Sequence, residues 1–116
     1  MSRTSFAFLA ALLAAGTFAV PAFGAVTLTG VVGPGFTITL KKGSAKVTTL
    51  KPGKYTIVVH DMSSVHDFHL LGPGLNKKTS VPAKGTSIWK VTLRKGTYRY
   101  LCDPHASLMK GSFKVS

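Results

Sequence analysis

From Val26 onward, apolar and polar residues alternate with a period of two, and glycine and proline punctuate the pattern. That period sends successive side chains to opposite faces of a strand, so each alternating stretch predicts a strand with one buried face. Val26–Gly30 reads as the first, followed by a turn or bulge at Gly33-Pro34-Gly35. Phe36–Leu40 alternates cleanly, Lys41–Ser44 turns, and Val47–Leu50 makes a short strand. Tyr55–His60 is rich in β-branched residues, which suit a pleated surface. Asp61–Ser64 breaks it, Val65–Leu71 resumes, and Gly72-Pro73-Gly74 ends that strand. Thr86–Leu93, Thr97–Cys102 and Ser112–Val115 complete the series. No stretch keeps a helical period. Seven to eight short strands with regular turn signals predict an all-β fold, a small sandwich or barrel. Phe36, Phe68, Trp89 and Phe113 are expected in its core.

An internal echo favours a Greek-key sandwich. Leu50-Lys51-Pro52-Gly53-Lys54-Tyr55 has the layout of Leu93-Arg94-Lys95-Gly96-Thr97-Tyr98, each with Gly-x-Tyr at a strand entry. A tyrosine there can return its hydroxyl to the preceding loop's backbone, the tyrosine-corner device of such sandwiches.

Residues 1–24 do not fit that pattern. Arg3 precedes a run from Phe6 to Val20 broken only by Gly16 and Thr17, and Pro21 ends it. Ala22-Phe23-Gly24 has the small-x-small form of a cleavage site, so 1–24 is expected to be a secretory signal peptide cut after Gly24 or, second, after Ala22. The run is shorter than the roughly 20 residues of a spanning helix. Residues 25–116 then form one exported domain, in the periplasm or outside the cell. A domain of that size is marginal without help. One cysteine, Cys102, cannot form an internal disulfide, whereas a bound metal stabilises a small fold and protects the thiol.

Charge is lopsided: fifteen Lys and Arg oppose three acids, Asp61, Asp67 and Asp103, for a net charge of +12. Lysines on sheet edges deter edge-to-edge pairing. They also favour an acidic protein face or an anionic membrane surface as partner. Nucleic acid is excluded as a partner by export and by the lack of any binding motif.

The chemistry sits near the C-terminus, in Leu101-Cys102-Asp103-Pro104-His105-Ala106-Ser107-Leu108-Met109. Thiolate, imidazole and thioether on one loop are soft donors, and a His2Cys plane with a long axial Met suits a mononuclear electron-transfer copper. Zinc also accepts Cys and His, but the Met argues for copper. Tyr98, Tyr100 and Cys102 share a strand face, which turns the thiol inward with the tyrosines.

The segment resembles the cupredoxins, the blue copper family of plastocyanin, amicyanin, pseudoazurin and azurin. Gly96-Thr97-Tyr98-Arg99-Tyr100-Leu101-Cys102-Asp103-Pro104-His105 follows their Gly-x-Tyr-x-Phe-x-Cys-x-Pro-His pattern, with Tyr100 in place of Phe, and Met109 and Gly111 follow. The resemblance implies one copper ion held by Cys102, His105, Met109 and a remote histidine. In the family that histidine precedes Asn, Ser or Asp and a core residue, which fits His66-Asp67-Phe68. His66 also shares parity with Phe68 and Leu70, whereas the competing His69 shares it with Asp67. His69 and His60 are expected at the surface, His69 with a minor alternative behind the ligands. Asp67 departs from the family's Asn. As an acceptor it is expected to receive an N–H from the Cys102 loop, and Asp103 to cap that loop through an Asx turn.

By the same resemblance, one edge of His105 meets solvent within an apolar patch of Pro104, Ala106, Leu108 and Leu75. The implied function is a one-electron carrier, monomeric and not an enzyme, exchanging electrons with redox proteins that carry an acidic docking face. Lys77, Lys78 and Lys110 are expected near the copper end, and Lys41, Lys42 and Lys46 farther away. The alternative is copper storage or delivery in the envelope. Such proteins use Met- or His-rich tracts, and only Met62 and Met109 follow the leader here.

Overall fold

The computed structural model describes residues 25–116. The expected signal peptide, 1–24, lies outside the described residues. Ten strands build two five-stranded sheets. The first has the order β3-β2-β1-β5-β8, with β1 at Val26–Val32, β2 at Ile38–Lys42, β3 at Ala45–Lys46, β5 at Gly53–Asp61 and β8 at Gly85–Leu93. The second has the order β4-β10-β9-β6-β7, with β4 at Thr49–Leu50, β6 at His69–Gly72, β7 at Leu75–Lys78, β9 at Gly96–Leu101 and β10 at Lys110–Val115. Pairing is antiparallel except for β1 with β5 and β10 with β4. The sheets face each other as a sandwich, and the inward residues of both make one core.

The extra strands have simple causes. The predicted strand at Val47–Leu50 divides instead: Ala45–Lys46 pairs with β2, and Thr49–Leu50 pairs with β10 in the other sheet. Buried Val47 lies at the crossing. Leu75–Lys78, polar and without clear alternation, pairs with β6 across the Pro73-Gly74 turn. The predicted strand at Val65–Leu71 starts only at His69.

Both tyrosine corners form. Tyr55 donates its hydroxyl to the Lys51 carbonyl at 2.6 Å. The Tyr98 hydroxyl accepts the Arg94 N–H at 2.9 Å and lies 3.1 Å from the Arg94 carbonyl. Aromatic packing lines the inner face of the second sheet, where Phe68 stacks on Tyr100 with centroids 5.7 Å apart and Tyr98 on Phe113 at 5.2 Å. Phe68 also meets Trp89 of β8 edge-on at 6.2 Å and so joins the sheets.

Gly72 serves this packing. A Cβ there would stand 2.1 Å from the Tyr98 ring, which the corner and the Phe113 stack hold in place. Gly72→Ala is expected to destabilise the apoprotein by at least about 2 kcal/mol, because an overpacked core moves its neighbours off their rotamers. A denaturant midpoint shift at unchanged m-value measures it.

Candidate metal centre

The centre forms at the end of the sandwich where β5 and β9 finish and β6 and β10 begin. Cys102 follows β9 and is fully buried, as the parity of Tyr98 and Tyr100 requires. A 3-10 turn over Asp103–His105, with Pro104 inside it, brings His105 back beneath the thiol. The loop is self-closed. His105 N–H donates to the Cys102 carbonyl at 2.9 Å, Met109 N–H to the His105 carbonyl at 2.8 Å, and Cys102 N–H to the Met109 carbonyl at 3.0 Å. Met109 is thereby stapled next to Cys102, and its side chain is buried.

His66 arrives on the connection between β5 and β6, which a network centred on Asp61 shapes. One Asp61 oxygen accepts the Ser63 N–H at 3.1 Å, and Ser63 Oγ accepts the Val65 N–H at 3.1 Å. The other oxygen accepts the Thr79 hydroxyl at 2.9 Å, and that hydroxyl accepts the Phe68 N–H at 2.9 Å. The network therefore grips the chain on both sides of His66. Met62 N–H donates to the Val32 carbonyl at 2.9 Å, docking the connection on β1. Gly33 permits that approach: its φ is +73°, and a Cβ would meet Ser63 Cβ at 2.9 Å and the His66 ring at 3.3 Å. This connection is a chain of local turns, so the expected alternation fails at Asp67, which is buried like its neighbours His66 and Phe68.

The donors converge. Cys102 Sγ lies 3.6 Å from His66 Nδ1 and 3.6 Å from His105 Nδ1, and the two Nδ1 atoms are 3.1 Å apart. A triangle with these sides has a circumradius of about 2.0 Å, the length of a metal–imidazole bond. Two imidazole nitrogens and a sulfur aimed at one point suit a soft cation. Burial raises the Cys102 thiol pKa, against the pull of the Asp67 and His105 backbone N–H groups. A bound cation reverses that preference, since the thiolate is the ligand form.

Asp67 links the two ligand segments. Its N–H donates to Cys102 Sγ at 3.4 Å, and its carboxylate accepts the Asp103 N–H at 2.6 Å. The expected N–H from the cysteine loop is therefore present. Burial pushes the Asp67 carboxyl up to about 6, helped by the adjacent Asp103 side chain. A carboxyl raised from 3.8 contributes stability below that value and loses it as pH rises through about 6. Asp67→Asn keeps the acceptor without the charge. It is expected to stabilise the apoprotein at pH 7.5 by on the order of 1 kcal/mol and to change little at pH 4. Thermal melts of the apoprotein at both pH values check this.

Three expectations about neighbouring residues need correction. Asp103 does not cap its own loop in the predicted way; its carboxylate receives His69 Nδ1 at 2.9 Å, and its pKa is lowered by the Asp67 side chain first and by His69. His69 is half-buried rather than freely exposed, with Nε2 2.7 Å from Asn76 Oδ1, so it ties β7 to the ligand loop. Phe36 is not core. It is 63% exposed and sets its ring edge-on to His66 and His105, with centroids 5.2 and 4.9 Å away. The turn at Gly33-Pro34-Gly35 carries it out of the strand register, so its parity with Leu40 misleads.

His60 stands half-exposed at the end of β5, 3.0 Å from the Thr86 hydroxyl, and takes no part. Pro104, Ala106 and Leu108 are exposed around His105, Leu108 at 72%. Leu75 belongs elsewhere, at the opposite end against the core. Phe36, Met62 and Val65 extend the apolar surface instead.

The comparisons agree with this geometry. Residues 35–116 match the model of a family described as copper binding proteins, plastocyanin/azurin family. No curated protein sequence matches the chain. Reduced rusticyanin shares the fold at a TM-score of 0.54 and 21% identity, over 78% of each chain. Auracyanin from Roseiflexus castenholzii shares it at 0.56 and 20% identity, over 80% of this chain and 99% of that one. Auracyanin A from Chloroflexus aurantiacus, described as a blue copper protein, does so at 0.51 and 22%, over 80% of this chain and all of that one. With a converging His-Cys-His donor set at the end of a two-sheet sandwich and a family match across most of its length, the chain belongs to the plastocyanin/azurin family of copper-binding proteins.

Proposed function

We propose that the protein is an exported one-electron carrier in which His66, Cys102, His105 and Met109 would hold a copper ion. The observation that carries this reading is the preformed donor triangle on a rigid frame, with the half-exposed His105 in an apolar surface. Copper supplies the electron by cycling between two oxidation states. The chain's part is to hold the donors still. The closed Cys102–Met109 loop and the Asp61 and Asp67 networks fix ligand positions independently of the ion's charge, which keeps reorganisation small. Phe36 and Leu108 shield the ligands and leave a weak, apolar docking face for a redox protein. An acidic rim on that partner would face Lys78, Lys84 and Lys110.

Storage or delivery of copper is the second reading. Full burial of Cys102 and Met109 favours retention of the ion over hand-off. The deciding experiment is stopped-flow electron exchange with an acidic soluble redox protein. A fast second-order reaction is expected. It should slow as ionic strength rises from about 10 to 200 mM and the Debye length shrinks from about 30 Å to below 10 Å. Leu108→Asn should lower the rate about tenfold with the copper spectrum unchanged. Copper passing to an apo-acceptor faster than electrons do would favour delivery.

A further inference from the structure

We propose that the end of the sandwich opposite the metal centre docks on the surface of an anionic lipid bilayer, through Lys42, Lys51, Lys54, Arg94, Lys95 and Lys114. The proposal rests on the exported-carrier reading above and names the surface that such a carrier uses to stay near its partners.

The fold sorts its charges along the sandwich. All fourteen lysines and arginines among the described residues are exposed. Strand directions sort them. β2, β8 and β10 end, and β5 and β9 begin, at the end away from Cys102. Lys42 closes β2, Lys54 follows the first residue of β5, and Lys114 precedes the last residue of β10. Lys51 lies between β4 and β5, and Arg94 and Lys95 form the turn between β8 and β9. Lys42, Lys51 and Lys54 line a single groove with Val26 and Ser116. The Arg94 guanidinium lies over the Gly74 turn at the same end.

All three side-chain carboxylates go the other way. Asp61 ends β5 beside the metal centre, Asp67 follows His66, and Asp103 follows Cys102. The metal end therefore sets these acids against Lys78, Lys84 and Lys110, whereas the far end holds six cations and no side-chain acid. The surplus charge of this protein is thus remote from its redox face. A partner held by the far-end cations would sit at the wrong end to exchange electrons across His105, and only Lys78, Lys84 and Lys110 guide an acidic rim to the redox face. Attachment by the far end leaves the apolar face around His105 pointing outward and free.

The chain path favours a bilayer as the anionic surface. β1 starts at Val26 on the cationic end. In the sequence, five residues separate Val26 from the apolar run that closes at Val20, a reach of at most about 20 Å. Until the expected leader is cut, the start of β1 at the cationic end therefore lies within that reach of whatever bilayer receives the run. No helix among the described residues is long and apolar enough to cross a membrane, so contact by this domain is made by its surface. Exposed cations near anionic headgroups attract additively, and salt weakens the attraction.

The test is co-sedimentation of the copper-loaded protein with vesicles of phosphatidylcholine alone or with about 30 mol% phosphatidylserine, at about 20 and 200 mM salt. Two variants carry the same change in net charge: Lys42→Glu/Lys51→Glu/Lys54→Glu at the far end and Lys78→Glu/Lys84→Glu/Lys110→Glu at the metal end. We expect binding to anionic vesicles at low salt. The far-end variant should bind at least about tenfold more weakly, the metal-end variant less than about threefold. The loaded protein of each variant should keep the intense visible band, which separates loss of docking from loss of the copper site. Equal weakening of both variants, equal binding to neutral vesicles, or no binding at low salt overturns the proposal. So does capture of an acidic protein by the far end without any vesicle binding.

Discussion

Cys102→Ser is expected to abolish the intense visible band that Cu(II) gives the protein while leaving the sandwich folded. The band arises from sulfur-to-copper charge transfer, and Cys102 supplies the only sulfur that is a thiol in the chain. The serine oxygen is a harder and far less acidic donor, so affinity and colour fall together. The fold should survive. Cys102 follows β9 rather than lying within it, and a hydroxyl in its place can still accept the Asp67 N–H. A change of about 1 kcal/mol in apoprotein stability is expected. A Cu(II) titration followed in the visible, with circular dichroism of the apoprotein, reads both. A serine variant of unchanged colour would remove Cys102 from the site.

The second large effect separates two histidines three residues apart. His66→Ala should lose the wild-type spectrum or make it responsive to added imidazole. Deleting this ring opens one corner of the donor triangle beside Gly33 and Phe36, a gap that a small external ligand can enter. His69→Ala should keep the band. His69 reaches the site only through Asp103, so its loss unties Asp103 from Asn76 of β7 and lowers apoprotein stability by about 1 kcal/mol. Spectra of both variants with and without imidazole decide the matter. Colour lost in His69→Ala and kept in His66→Ala would place the remote ligand on the wrong residue.

Strand periodicity, paired Gly-x-Tyr corners and the Cys-x2-His-x3-Met loop are local features, and the chain's sequence determined them by itself. Period-two alternation with apolar inner faces stabilises strands wherever they pair. A loop only eight residues long brings Cys102, His105 and Met109 together whatever the rest of the fold does. His66 was legible for a narrower reason. Its family-like neighbours pointed to it, although the strand that was to carry it begins only at His69. Tertiary structure alone decided the rest. Phe36 left the core because a turn at Gly33-Pro34-Gly35 broke its register, and register cannot be read through a turn. The polar strand Leu75–Lys78 exists because β6 offers it an edge, not because of its own pattern. The Asp61–Thr79 and Asp67–Asp103 bonds join residues 18 and 36 positions apart. Sorting of the side-chain charges, with all three aspartates at the metal end and six cations opposite, depends on strand direction. Direction follows from which strands pair, a choice made by the packing of two whole sheets.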